Sequence, residues 1–342
     1  MAEIVLAIGC AHAPQLYAPV EQRERNARRD AEDAEPLWYK GERFKYADLL
    51  EQRKHQDIGE QLDLDIFKER VAKSHEAINR ISRLFEEAEV DVAIIFGNDQ
   101  GEMFLDDVRP AFTIMGCEHF ENMPRTIEQK RRLPADIHIS DKGHLPDREI
   151  QVYPGHPELA IYLVRQAMAN NFDVTYSHRQ HRADPTYSFT SGMPHAYGFV
   201  YKQIFRERPI PHVPIDINTF FPPNQPGAAR CYAFGRMVGK ALRRWDNDLR
   251  VAIIASGGLS HPVVDEDFDR DIIEAMVNGE LKYLLSYHDG YYRAGSSEIK
   301  SWIAMNGALK KSYLKAHLID YQALYRTAAG TGSSAAFMCW HM

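Results

Sequence analysis

Cysteine is scarce in this chain. Four occur in 342 residues (Cys10, Cys117, Cys231 and Cys339), and no two form a CxxC pair. A disulfide framework is therefore not expected; the pattern predicts free thiols in a reducing, cytoplasmic setting. Long apolar runs are also missing: none approaches the ~20 residues that span a bilayer. The opening MAEIVLAIGCAHAPQL has no basic segment ahead of its apolar one, so it reads as a strand and not as a secretion signal. Positive charge is not in excess. The sum of 41 Lys and Arg against 48 Asp and Glu gives a formal net charge of −7, which argues against nucleic acid and against an anionic membrane surface. Internal repeats, low-complexity tracts, a GxGxxG pattern and a Walker pattern are all lacking. Gly9, Gly97, Gly257 and Gly258 accordingly read as turn requirements and not as phosphate cradles.

What is present is an alternation. EIVLAIG (3–9), VDVAIIFG (90–97), FDVTYS (172–177), IPHVPIDINTF (210–220) and RVAIIASGG (250–258) read as strands. Between them, apolar residues return at helical spacing from about Leu62 to Ala88. Further helices start near Pro157, near His195 and at GAARCYAFGRMVGKALRRW, Pro157 being well suited to a first turn. Residues 20–61 are rich in charge and read as a solvated helical excursion, 121–150 as loop, and the chain after Asp265 as mostly helical. Alternating strands and helices predict an α/β fold: a central mixed sheet covered by helices on both faces, with a helical C-terminal region. No domain boundary is visible, and residues 1–342 are expected to form one catalytic domain.

The chemistry-bearing residues gather where apolar strands stop. The first strand ends at His12. The strand at 90–97 runs into Asn98, Asp99, Gln100 and Glu102; alternation puts Asn98, Gln100 and Glu102 on one face. The strand at 250–256 runs into SGGLSHPVVDEDFDR, with His261, Asp265, Glu266 and Asp267. Buried polar groups cost free energy unless they are paired or hold something, and α/β proteins bind ligands beyond the carboxyl ends of their strands. One His with oxygen donors from two other segments suits a non-haem metal, usually two His and one carboxylate with positions left open. The plain alternative is a hydrogen-bonded loop histidine. In HRQHRAD, His181 and Arg182 are candidates to hold a substrate carboxylate, against the alternative of a solvated loop.

Six segments add a resemblance. IGCAHAPQL, GHPEL, MPHAYGFVYKQIF, FFPPNQPGAARCYAFG, ASGGLSHPV and AGSSEIKSWIAMNGAL, running from Ile4 to about Ala336, resemble in order and spacing the class III (LigB-type) extradiol ring-cleavage dioxygenases of the protocatechuate 4,5-dioxygenase β-subunit kind. MAEIVLAIG with GNDQGEMF is most similar to the 3-O-methylgallate dioxygenase branch. The resemblance implies that His12 is an iron ligand and His195 an acid–base residue. It makes His156 and His261 further pocket histidines, and puts the acidic ligand in DEDFD. Spacing to Phe268 points to Asp267 there, while the longer arm favours Glu266. The chain departs from the family where Asp99-Gln100 stands for Asp-His, so either Gln100 or Glu102 is left to replace the second His ligand. Asn98, His181 and Arg182 would contact substrate. The implied activity is Fe(II)-dependent ring cleavage of a small catechol-like or methoxylated aromatic acid by O2, with Mn or another divalent metal as an alternative cofactor and a homodimer as the expected assembly. The rivals are a hydrolase or isomerase that uses no O2, and a non-catalytic aromatic-acid-binding protein.

Overall fold

The computed structural model describes residues 1–33, 35–132, 140–184, 187–188, 190–206 and 208–342. Its strands are β1 (Glu3–Cys10), β2 (Leu37–Tyr39), β3 (Glu42–Phe44), β4 (Val92–Gly97), β5 (Phe112–Met115), β6 (His119–Asn122), β7 (Gln151–Pro154), β8 (Thr175–Ser177), β9 (His212–Ile217), β10 (Arg250–Ser256), β11 (Lys315–Tyr325) and β12 (Gly332–His341). Its helices are α1 (Val20–Glu32), α2 (Tyr46–Arg53), α3 (Leu64–Glu87), α4 (Ile127–Arg132), α5 (Pro157–Ala169), α6 (His195–Phe199, continued by a π-helical turn to Phe205), α7 (Ala228–Leu242), α8 (Glu266–Asn278) and α9 (Ile299–Leu309).

Eight strands form one mixed sheet in the order β11-β12-β1-β10-β4-β9-β5-β8. β1, β10, β4 and β9 run parallel at its centre; the first three are apolar runs because both faces are covered, and β9 also buries His212 and Asp216. In β4, Val92, Ile94 and Phe96 enter the core under α5, α7 and α9, while Ala93 and Ile95 enter the core under α3 and α6. The two-sided α/β architecture is the one that the alternation implies.

The structure differs from the sequence reading in several regions. Within the excursion read as helical, residues 37–44 form the β2–β3 hairpin. The chain is helical after Asp265 only as far as Leu309; residues 315–341 then form a long antiparallel hairpin, with β12 pairing against β1. Within 121–150, β6 extends to Asn122, α4 covers 127–132 and a 3-10 turn covers 141–143, while residues 133–139 lie outside the described set.

The charged excursion at 20–61 is anchored by arginines. Arg23 donates to the carbonyls of Tyr325 and Leu62, Arg53 donates to that of Ala329, and Arg326 in the β11–β12 turn pairs with Asp30 at 2.8 Å. These ties hold α1 over the C-terminal ends of the central strands.

On the other face, α7 and α9 approach backbone to backbone. A Cβ on Gly235 would lie 1.7 Å from the Ala304 carbonyl oxygen, and one on Gly239 would lie 2.0 Å from that of Ala308. Only glycine leaves room for that approach.

Candidate active site

The polar cluster that ends β4 is built around Asp99. Its buried carboxylate accepts backbone N–H groups from Gly101, Glu102, Met103 and Phe104 at 2.7–3.2 Å. Four bonds to one side chain fold the segment into a tight turn. The turn sends Gln100 and Glu102 to different partners.

Gln100 Nε2 donates to Glu298 Oε1 at 2.7 Å. Glu298 stands just ahead of α9, and its Oε2 accepts the Gly258 N–H at 2.6 Å. His12 meets the same carboxylate, Nε2 to Oε1 at 3.4 Å, a separation too long for a well-formed hydrogen bond. His12 Nδ1 contacts Ser256 Oγ at 3.0 Å, while its buried Nε2 has no hydrogen-bond partner. His261 Nδ1–H donates to the Leu259 carbonyl at 2.9 Å, leaving Nε2 3.7 Å from Glu298 Oε2. A Cβ on Gly295 would lie 1.9 Å from His261 Cδ2, so that position must be glycine for the ring to sit there.

Glu102 faces His195. Its Oε2 lies 2.6 Å from His195 Nδ1, and both carboxylate oxygens lie 3.2 Å from the His195 backbone N–H, which opens α6 and has no helical partner. The His195 ring crosses that of His12 edge-on with centroids 4.6 Å apart. His144 Nε2 is buried without a hydrogen-bond partner, and its ring lies 5.9 Å from His195.

Burial and charge compete throughout the cluster. For Glu298, burial favours the neutral acid, but the imidazoles of His12, His261 and His195 outweigh it and hold the pKa at about 2. For Glu102, burial is likewise outweighed by His195, His144 and Arg125, and the value again falls to about 2. Burial dominates at His12 and lowers its pKa against the pull of Glu298, leaving a neutral imidazole. At His195 burial is overcome by Glu102, Glu298 and Asp99, which raise the value to about 9. The result is a neutral imidazole beside an ionised carboxylate, next to a second carboxylate that stabilises a histidine cation.

These groups open onto a cavity of about 490 Å³. His12, Gln100, Glu102, His144 and His195 line it, together with Arg29, Arg125, Arg132 and Arg326. Phe199 and Tyr17 add aromatic surface, with the Phe199 and His12 rings 6.1 Å apart.

Several residues expected here lie elsewhere. Glu266, in the first turn of α8, accepts a hydrogen bond from Tyr325 Oη at 2.7 Å. Asp267 is largely exposed and pairs with Lys40 and Arg270. Neither meets His12, because α8 starts at Glu266 and carries DEDFD away from the strand end; Glu298 is the carboxylate in place. His156 caps α5, accepting the Leu159 N–H, and packs on Trp245. It lies at the opposite edge of the sheet, its backbone N–H bonded to the carbonyl of His212 at the start of β9. His181 stacks on Phe104, and Arg182 pairs with Glu121; neither lines the cavity. Asn98 is fully buried at the end of β4, with neither side-chain polar atom partnered.

The sequence reading missed Glu298 and His144. Glu298 had a usable signal: it is an acidic residue directly before IKSWIAMNGAL, a helix buried along its whole length. An ionised group has no solvent role in such surroundings. His144 had none beyond a His between Gly143 and Leu145-Pro146.

The sequence profile of the catalytic LigB subunit of aromatic ring-opening dioxygenases matches residues 62–338, and the chain belongs to that family. It is also similar to a gallate dioxygenase of Pseudomonas putida, with 26% identity over 198 residues covering 54% of each protein. The chain thus spans about half the length of that curated relative. His12 precedes the profile match, so its place in the site rests on geometry. Among the described residues, no helix is long and apolar enough to cross a membrane.

Proposed function

We propose that the protein is a divalent-metal-dependent extradiol dioxygenase that opens a small catechol-like or methoxylated aromatic acid, with residues 1–342 acting as one catalytic unit. The observation that carries this reading is His12 Nε2: a neutral, buried nitrogen without a hydrogen-bond partner, held beside an ionised and equally buried carboxylate. An unpaired buried nitrogen is costly unless it holds something, and imidazole with carboxylate suits a first-row divalent ion. His12 and Glu298 would hold the metal, and Gln100, already touching Glu298, is the candidate for a third position. An Fe(II) ion there, with Mn(II) as the alternative, would bring the vicinal ring oxygens and O2 together and supply the redox chemistry of ring opening.

The chain's own groups do the rest. Glu102 fixes the His195 ring through Nδ1 and favours its charged form, so the resting residue holds a proton at Nε2 and would give it to oxygen as the ring opens; the neutral imidazole left behind then takes the hydroxyl proton of the next substrate. His261 and His144 present polar ring edges beside Glu298 and His195. The arginines of the wall are candidates to meet a substrate carboxylate, which would then share Arg125 with Asp141 and Arg326 with Asp30. The resemblance to a gallate dioxygenase supports an aromatic acid as substrate.

A second assignment follows from one distance. Donor atoms of His12, His195 and Glu298 all lie within 4.8 Å of one another, and a carboxylate behind a histidine is the usual support for a metal-bound ring. In that arrangement His195 is the third ligand and Gln100 only orients Glu298.

Metal analysis and oxygen uptake separate the readings. The protein, loaded anaerobically with Fe(II) and given gallate, 3-O-methylgallate or protocatechuate, should consume O2 in step with loss of the aromatic absorbance. His12→Ala and Glu298→Gln should lose bound metal. His195→Ala should keep metal and lose at least about 100-fold in kcat if it is the proton carrier; loss of metal would make it a ligand. Turnover of an aromatic acid without O2 uptake would exclude ring-opening oxygenation and leave a hydrolase or isomerase.

A further inference from the structure

A second cavity, of about 470 Å³, lies where the C-terminal ends of α7 and α9 meet. Six cationic side chains line it: Arg236, Lys240, Arg243 and Arg244 from α7 and the residues after it, and Lys310 and Lys311 from the end of α9. Among the described residues, no Asp or Glu lines it. That is unexpected in a chain whose net charge is −7. The floor is apolar, formed by the buried Phe172 and Met237.

The arrangement follows from the fold. The glycine contacts that bring α7 and α9 backbone to backbone also set their last turns side by side, so two basic helix ends share one hollow. Basic residues at a helix C-terminus commonly balance its dipole, but two helix ends amount to about one negative charge in all. Six cations exceed that need several-fold. Arg243 donates to the Ala308 carbonyl at 3.3 Å, which uses one nitrogen of one guanidinium. Arg243 is half-buried, and desolvation lowers its pKa. The cavity also stands apart from the catalytic one. α7 ends just before β10 begins, whereas His12 and Gln100 follow the carboxyl ends of β1 and β4.

We infer that this cavity is a binding site for a small multivalent anion, a compound carrying two or more phosphate or carboxylate groups on an apolar body. The cations supply the charge, and the Phe172–Met237 floor covers the apolar part. Site and ligand are independent of the ring-opening reading, so either can fail without the other.

The test is calorimetric titration of the full chain with tripolyphosphate, with citrate and with inorganic phosphate, at low ionic strength and at 150 mM salt. Saturable binding of tripolyphosphate or citrate is expected, weaker at 150 mM salt as screening requires, and the tighter of the two identifies phosphate or carboxylate chemistry. The Lys240→Glu, Arg244→Glu double variant should lose at least ~10-fold in affinity. A double variant of equal net charge placed elsewhere, Lys68→Glu with Lys282→Glu, should not. Should the double reversal fail to fold, Lys240→Gln with Arg244→Gln takes its place, with a smaller loss expected. Three results would overturn the inference: no saturable binding, equal loss in both double variants, or inorganic phosphate binding as tightly as the multivalent anions.

Discussion

At the scale of single residues, the molecule separates buried ionisable groups that are fully partnered from those that are not. His212 belongs to the first kind. It is fully buried, Tyr201 Oη donates to its Nε2 at 2.7 Å, and its Nδ1–H donates to the Ile210 carbonyl at 3.2 Å. Burial lowers its pKa to about 4. The unfolded chain, with a histidine near its ordinary value, therefore takes up the proton first as pH falls. Stability from this group is complete above about pH 6.5 and is lost as pH falls towards 4, a change of about 3 kcal/mol. Urea unfolding at a series of pH values should show His212→Gln less stable at pH 7 but with a shallower decline below pH 6.5. An unchanged decline would show that other groups set the acid limb. His12 belongs to the second kind; like His144 it has a buried Nε2 without a hydrogen-bond partner, and it is the one of the two that follows an apolar strand and faces the buried Glu298. The position after an apolar strand was readable from sequence; the turn after β4 was not, because alternation put Asn98, Gln100 and Glu102 on one face, whereas the turn around Asp99 sends Gln100 to Glu298 and Glu102 to His195. The partner of His12 was not readable either, because acidic residues are abundant at helix starts for reasons of dipole and capping alone. Glu266 and Asp267 occupy such a first turn, and nothing local distinguishes them from a ligand.

Elements tell a similar story at longer range. β4 and β10 announce themselves as apolar runs because helices cover both of their faces, whereas β9, HVPIDI, also buries His212 and Asp216. β12 reads GSSAAFMCWH, with small and weakly strand-forming residues in its first half, and becomes a strand through pairing with β1 and β11. No local pattern reports such a partner. The helix pair α7–α9 is a further case: its glycines look like interruptions of helical propensity, yet they permit the approach. Gly235→Ala should cost roughly 1–3 kcal/mol through overpacking against the Ala304 carbonyl, read as a lowered urea midpoint. A neutral result would mean that α7 shifts along α9 with ease. The excursion at 20–61 was legible as charged and, apart from the β2–β3 hairpin, helical. Its work was not, because the arginines that look solvated in sequence reach carbonyls of the β11–β12 turn, and α1 places Asn26 and Arg29 in the cavity wall.

Over the whole molecule, the sheet order makes the two ends of the chain mutually dependent. β1 lies between β10 and β12, so the hairpin 315–341 covers what would otherwise be an exposed edge next to His12. Removing residues 315–342 should leave β1 open to intermolecular pairing. Size-exclusion chromatography and pelleting are expected to show aggregation of the shortened protein; a soluble monomer with normal metal content would refute this dependence. The sheet order carries a temporal consequence as well. His12 is made before Glu298, which follows only after nearly all the central strands have been made. On the proposed metal site, the nascent chain would carry His12 without its partner carboxylate until Glu298 is made. Cation capture would then wait for the late segments, which would make loading a finishing step and not a nucleus for folding.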